Sequence, residues 1–296
     1  MNEYNDMSNI NCCICGSKVS LWNKLSSGVN VYFLMLCKSC RFAFAYPRPE
    51  ASSLYDLYSK SSQGVSCLIK YDDVIDEEKR NPNSVIDAER MISKIIDMLS
   101  KNNISSRKFL EVGSGYGFFS KKAMEKGFDV TAIELAETER AITKKMTGLD
   151  PVAVSFEDFS GSSKLFSSIL MSQVLEHALD VDKWIGKASS LLVPGGVLAI
   201  ALPNFDSIVR IFLGTRDPYI CPPIHLNYFT KESLSRLLAK HGFGNIYCNF
   251  VYRISKDAIN RRLSPLIGPF IPIKSVLRLA YNFGVGMFIN MYAVKI

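Results

Sequence analysis

Apolar positions recur along this chain in two rhythms, one helical and one strand-like, and their order outlines the fold. The dense apolar run Lys108–Val112 predicts a buried strand, residues 118–126 a helix stopped by Gly127, and Asp129–Ile133 a second strand ending at Glu134. Strand, helix and strand in that order make a βαβ half-unit, so the predicted class is α/β with a doubly wound sheet. Upstream, residues 84–101 have the period of an amphipathic helix, with Ile86, Met91, Ile95 and Leu99 assigned to one face. Downstream, residues 231–241 predict a helix ended by Gly242 and Gly244, and the closing run "MFINMYAVKI" alternates like a last strand.

Outside this core, "SLWNKL" and "NVYFLMLC" predict the strands of a small hairpin, and Pro47 and Pro49 mark a boundary. Residues 51–60 predict a helix, and the polar stretch 61–83 a loop able to move over a ligand. The chain thus divides into a module at 1–50, a helical linker and lid at 51–106, and a main domain at 107–296 with inserts near 205–230 and 252–285. The second insert, basic and apolar by turns, predicts helices lying across the core. Residues 279–294 carry no charge, but 16 residues broken by Asn282 and Asn290 are short for a bilayer span. A strand is preferred there, with peripheral membrane attachment left as an alternative.

Composition narrows the classes further. A hydrophobic fraction of 48% over 296 residues supports a full core and excludes a disordered chain. Thirty-five basic against 28 acidic residues give a net charge of +7, spread without a long basic run. That excess suits a phosphorylated or nucleotide-linked small molecule, whereas no basic–aromatic patch favours DNA or RNA. The start "MNEYNDMSNINCC" lacks a basic region and an apolar core of the signal-peptide kind, so a cytoplasmic location with reduced thiols is expected.

Under reducing conditions the eight cysteines point to metal before disulfides. Cys12 with Cys15, and Cys37 with Cys40, form two C-x-x-C pairs with 21 residues between them. Two such pairs suit tetrahedral zinc, and four sulfurs close the site, which makes the metal structural. Cys13 would require C-x-C spacing and is left out, while Cys67, Cys221 and Cys248 stand alone.

The turn after the first core strand carries the chemistry. Its glycines are Gly113, Gly115 and Gly117, whereas the dinucleotide fingerprint would place its third glycine at position 118, which is Phe118. Glu111 at the strand end would repel a pyrophosphate but welcome an ammonium group. Glu134, 23 residues later, is placed to accept hydrogen bonds from two ribose hydroxyls. S-adenosylmethionine (SAM) has that character.

Several stretches now form an ordered resemblance. "EVGSGYG" resembles motif I of the class I SAM-dependent methyltransferases, and "IELAE" their ribose-binding motif. "FSSILMSQVLEHALD" is similar to their fourth strand and the segment after it, and "ASSLLVPGGVLAIALPN" to their fifth strand with its preceding helix and turn. "HLNYFTKESLSRLLAKHGF" resembles the next stretch, so the match runs from about residue 84 to the end. The resemblance implies a Rossmann-like sheet of seven strands, the last antiparallel, and methyl transfer from SAM to a small-molecule acceptor. It implies that Glu111, Gly113, Ser114, Gly115 and Gly117 hold the methionine end of SAM. Glu134 and Leu135 would hold ribose and one adenine face, Ser155 and Phe156 the adenine, and Gln173 would border the cofactor. Family members often carry an acid at the place of Ser155, with Glu157 its neighbour here.

"CKSCRFAFAYPRPEASSLYDLY" resembles the segment following an N-terminal zinc ribbon in a subset of that family. This subset includes sugar C-methyltransferases and enzymes of glycan and natural-product assembly, and it implies a sugar, nucleotide-sugar or glycan precursor as acceptor. Two histidines stand at the mouth of the sheet, His177 in "QVLEH" and His225 in "PPIHLNYF". A neutral imidazole is a competent general base, and both are candidates for base or orienting group. The sugar C-methyltransferases have a glutamate before the matching histidine, and here that position is Ile224, which favours a hydroxyl or amine acceptor. His241, at a helix end, is expected on the solvated surface. An RNA methyltransferase is the first alternative, although "SQVLEH" stands where an "NPPY" motif would. A non-catalytic SAM-binding partner subunit is the second, opposed by the intact glycines and Glu134.

Overall fold

The computed structural model describes residues 10–27, 30–60, 70–161, 165–251 and 285–296. Strands β1 (Ser20–Ser27) and β2 (Asn30–Leu36) form the expected antiparallel hairpin, and β2 pairs in turn with β3 (Ala43–Tyr46). Helices α1 (Ala51–Lys60), α2 (Tyr71–Arg80) and α3 (Asn83–Lys101) come next in the chain. Helix α2 corrects the loop expected over 61–83, of which 61–69 lie outside the described residues. Only Val74 of α2 is buried, so no apolar stripe announces it. It is held instead by Asp72 and Asp73 in its first turn and Lys79 and Arg80 in its last, which complement the helix dipole.

Helix α3 buries Met91, Ile95 and Leu99 together with Ala88, Ile92 and Met98. Ile86 is not on that face and is 54% exposed. The reason is geometric: at about 100° per residue, Ile86 lies roughly half a turn away from Ile95.

The main sheet is built from β4 (Lys108–Val112), β5 (Asp129–Ile133), β6 (Phe166–Ser172), β7 (Leu192–Pro203), β9 (Phe243–Val251) and β10 (Phe288–Lys295). Its order is β5-β4-β6-β7-β10-β9. The first four are mutually parallel, and β10 runs antiparallel to both of its neighbours, as expected for the last strand. Among the described residues the sheet has six strands, not seven. At its β5 edge a further strand is reduced to one parallel bridge between Val152 and Ile133. Val152 and Ala153 are exposed there, so little burial rewards a longer pairing.

Strand alternation sorts the core into two faces. Leu110, Val112, Ile169, Met171, Leu198 and Ile200 face α6 (Val181–Leu191), which contributes Trp184 and Ile185. Phe109, Leu170, Val197 and Ala199 face α3. Helices α4 (Phe118–Glu125) and α5 (Glu137–Thr147) complete the first crossovers.

The stretch after β7 contains the short helix α7 (Ile208–Leu213) and strand β8 (Asn227–Tyr228), with α8 (Lys231–Lys240) next. Strand β8 leaves the main sheet and extends the N-terminal one, in the order β1-β2-β3-β8. Ala43 pairs with Tyr228 and Phe44 with Asn227, while the Phe42 and Phe229 rings meet at 5.0 Å. The helices expected across 252–285 fall on positions outside the described residues, except position 285. No helix among the described residues is long and apolar enough to cross a membrane.

Candidate active site

The glycine turn opens where β4 ends. Gly113, Gly115 and Gly117 have φ of 68°, 52° and 83°, the left-handed region that glycine enters without strain. A Cβ on Gly113 would meet Val174 Cγ2 at 2.8 Å, and one on Gly117 would meet Thr143 at 3.0 Å. A Cβ on Gly115 would meet nothing within 4 Å among the described residues, so they leave open space beside it. The Gly115 N–H donates to Glu134 Oε2 at 2.8 Å, and the Ala136 N–H donates to Oε1 at 2.9 Å. An ionised carboxylate has about four lone-pair directions, so acceptor capacity remains for a ligand's hydroxyls. Burial raises the Glu134 pKa, and the backbone N–H groups of Ala136, Gly115 and Leu135 oppose the shift.

Glu111 lies beneath the turn, buried, and accepts a hydrogen bond from Ser120 Oγ in α4. Burial pushes its carboxyl up to about 8, against the pull of that hydroxyl. Ser114 is buried, with Oγ 3.4 Å from Thr143 Oγ1. Leu135 is half-buried, and its carbonyl accepts from Arg140. The space beside Gly115 and the spare acceptors of Glu134 fit a ligand carrying a diol.

Other expected cofactor residues are placed less simply. The Ser155 hydroxyl is committed locally, donating to Asp158 Oδ2 at 2.7 Å and accepting from the Asp158 N–H at 3.1 Å. Phe156 is buried edge-on against Trp184, ring centroids 5.1 Å apart. Glu157 accepts from Trp184 Nε1 at 2.6 Å. Gln173, directly after β6, has φ of 57°, a costly conformation for a residue with a side chain.

The two histidines come together. Their rings lie 4.9 Å apart, although 47 residues separate His177 from the backbone it touches at Ile224. His177 Nδ1 is 2.7 Å from the Ile224 carbonyl oxygen, and His225 Nδ1 is 2.8 Å from that of Tyr219. A carbonyl only accepts, so each Nδ1 carries the proton; His225 keeps its lone pair on Nε2, while the His177 ring also meets the Gln173 backbone. Tyr58 Oη donates to the same Ile224 carbonyl at 2.8 Å and lies 2.9 Å from His177 Nδ1. Burial lowers both imidazole pKa values, that of His225 to about 4 with help from His177, so both rings are uncharged at neutral pH.

Two neighbours escape sequence reasoning. Glu176 is 1% exposed, and neither carboxylate oxygen has a hydrogen-bond partner among the described residues. Burial pushes it up to about 8. It adjoins His177 in "QVLEH", whereas the sequence pattern directs attention to an acid before His225, at Ile224. Tyr58 arrives from α1, and no local signal in the sequence marks it. Asn227 Nδ2 donates to the Ala178 carbonyl at 2.7 Å and the Leu226 N–H to that of Glu176 at 2.9 Å, stitching the insert to the turn. Arg210, Asp217, Tyr219 and His225 line a cleft beside it. His241 is not a freely solvated residue: its Nε2 lies 2.8 Å from Asp182 Oδ1, and its side chain is 19% exposed.

The four paired cysteines converge as well. Cys12 and Cys40 Sγ are 3.5 Å apart, as are Cys15 and Cys37, and all four lie within 4.8 Å of one another. Zinc with Zn–S bonds of about 2.3 Å asks for sulfur–sulfur edges of about 3.8 Å, so the set fits the ion. The two turns match: the Gly16 N–H donates to the Cys12 carbonyl, the Arg41 N–H to that of Cys37, both at 2.8 Å. Gly16 and Arg41 both have positive φ. Cys13 is exposed.

Known proteins resemble parts of this chain. A ubiquinone biosynthesis O-methyltransferase of Paramagnetospirillum magneticum is 35% identical over 100 residues, 32% of this chain and 40% of the relative. The chain spans about two fifths of the length of the curated relatives it matches. A SAM-dependent methyltransferase from Thermotoga maritima, titled a possible histamine N-methyltransferase, superposes with a TM-score of 0.51 at 17% identity, covering 75% of this chain and 96% of that one. A plantazolicin methyltransferase solved with SAH also superposes at 0.51, with 14% identity over 75% of this chain and 88% of its own. The family model described as "Methyltransferase domain" matches residues 85–247. With more than half of its length so matched, and with the fold of SAM-dependent methyltransferases, the chain belongs to the methyltransferase-domain family.

Proposed function

We propose that this chain transfers a methyl group from SAM to an oxygen of a small-molecule acceptor lying beside His177 and His225. The observation that carries this is the Gly115–Glu134 hydrogen bond, which sets backbone, open space and spare carboxylate acceptors at one strand end. SAM, when bound, supplies an electrophilic methyl group. Glu134 would accept from the ribose hydroxyls, and the turn from Glu111 to Gly117 would hold the amino-acid end. Leu135 and Phe156 would flank the adenine, Ser155 would meet it through its backbone, and Gln173 would border the site. His225 would activate the acceptor, with His177 and Tyr58 orienting it in line for displacement.

Oxygen is favoured because the curated relatives are named O-methyltransferases and because no acid precedes His225 at Ile224. Sugar-linked acceptors are the first class to try, given the resemblance of the N-terminal module. The four cysteines would hold a structural zinc that steadies β3 and, through it, β8 and His225. Purified chain incubated with SAM and panels of nucleotide sugars and phenols should form SAH together with a methylated acceptor by mass spectrometry. Failure to bind SAM in calorimetry would overturn the proposal, and SAM binding without SAH from any panel would favour a non-catalytic subunit.

A further inference from the structure

We propose that Arg48 is a positioning residue for the acceptor side: it grips the backbone that carries His225 and, through Asn227, the turn that carries His177. Its guanidinium donates from Nη1 to the Leu226 carbonyl at 3.0 Å and from Nη2 to Asn227 Oδ1 at 2.6 Å. Leu226 and Asn227 directly follow His225 in the chain. Asn227 is 2% exposed, and its amide is engaged at both ends. While Oδ1 faces Arg48, Nδ2 donates to the Ala178 carbonyl at 2.7 Å and to that of Glu176 at 3.3 Å. These two residues flank His177. With the guanidinium on Oδ1, only the amino end can face the turn, because the opposite flip would set N–H groups against the cation and an oxygen against carbonyls. The Leu226 N–H donates to the Glu176 carbonyl at 2.9 Å, and His177 Nδ1 donates back to that of Ile224 at 2.7 Å. Residues 224–227 and 176–178 thus make one frame, and Arg48 holds it from the N-terminal segment.

Stability alone does not account for this setting. Burial lowers the Arg48 pKa to about 10, and among the described residues the guanidinium forms no ion pair; both bonds go to uncharged acceptors. A cation withdrawn from water without a carboxylate loses hydration that neutral acceptors replace only in part. The Phe44 ring, 5.4 Å from Cζ, adds a modest cation–π attraction. Such an arrangement gives up stability for placement, which is characteristic of functional sites. The planar fork suits the task, since it spans acceptors on two successive residues where an ammonium would reach one. Arg48 does not line the cleft of Arg210, Tyr219 and His225, so its part is placement and not contact with the acceptor. The consequence for turnover rests on the methyl-transfer proposal. The hold on the two histidines does not.

Proton NMR of the full-length chain reads that hold directly, because three histidines give three ring signals, assigned by His177→Gln, His225→Gln and His241→Gln. In the wild type the buried His225 ring should not titrate between about pH 6 and 8. In Arg48→Gln it should, its midpoint moved by at least ~1 pH unit toward the ordinary 6.5 as the ring loses its packing, and the His177 signal should shift with it. The His241 signal, from beside Asp182, should stay as in the wild type. Arg48→Lys keeps the charge but not the fork; it should fall between the two, and it serves where the glutamine variant fails to fold. SAM affinity by calorimetry should remain within about twofold in both variants. Turnover of an identified acceptor should fall ~10- to 100-fold, mostly in kcat. Unchanged His177 and His225 signals in a folded variant, a matching change at His241, wild-type turnover despite shifted signals, or failure of both variants to fold would overturn the positioning role. Shifted signals in a protein whose wild type transfers no methyl group would uphold the hold on the histidines and refute the methyl-transfer proposal instead.

Discussion

The Gly115 amide and the Glu134 carboxylate meet across 2.8 Å, tying the end of β4 to the end of β5 at the point where the βαβ unit opens. Gly115 has φ of 52° and open space where a Cβ would stand. Gly115→Arg should therefore abolish SAM binding, by strain and by filling that space. Unchanged affinity in calorimetry would refute the assignment of this turn. Glu134→Ala should weaken SAM by about 1–3 kcal/mol through lost charge-assisted hydrogen bonds, with the chain still folded by circular dichroism.

Replacing one thiolate, as in Cys37→Ser, should release zinc and loosen β1 to β3 more than β4 to β7. Metal analysis and hydrogen exchange read the two effects separately. Zinc-free wild-type protein, purified without chelators, would contradict the metal assignment.

His225→Ala should depress turnover about 10²–10⁴-fold while SAM affinity stays near wild type, since His225 stands on the insert and not on the glycine turn. Steady-state kinetics on the identified acceptor decide this. Turnover within about threefold of wild type would remove His225 from the chemistry.

Glu111 predicts a pH dependence of stability. Its folded pKa of about 8 lies above the ordinary 4.5, so the folded chain holds a proton that the unfolded chain releases between those values. Stability is then complete below pH 4.5 and declines as pH rises toward 8, by at most about 1.4 kcal/mol per pH unit for one proton. Glu111→Gln should flatten that decline in melting curves recorded across this range. Parallel curves for wild type and variant would show that the carboxyl ionises normally.

Whatever rests on local rhythm and spacing is legible in the sequence. The limits of β4 and β5, the glycine turn and the convergence of Cys12, Cys15, Cys37 and Cys40 all arise from patterns a few residues long. Helix α2 is hidden because charges, not apolar burial, sustain it. Ile86 is misplaced because a spacing of nine residues brings a helix to its opposite side. The acceptor side is least legible. Tyr58, Glu176 and His225 meet only through tertiary packing, and the pairing of β3 with β8 has no periodic signature.

That pairing also bears on the order in which the molecule assembles. Contacts between neighbours in sequence close quickly, and those between distant segments must wait for long loops to close. The β4–α4–β5 unit is local, whereas between Phe44 and Asn227 lie four of the six described strands of the main sheet, β4 to β7. The glycine turn should therefore mature early and the His225 side late, so that, on the proposed function, a nascent chain would gain affinity for SAM before it could transfer its methyl group.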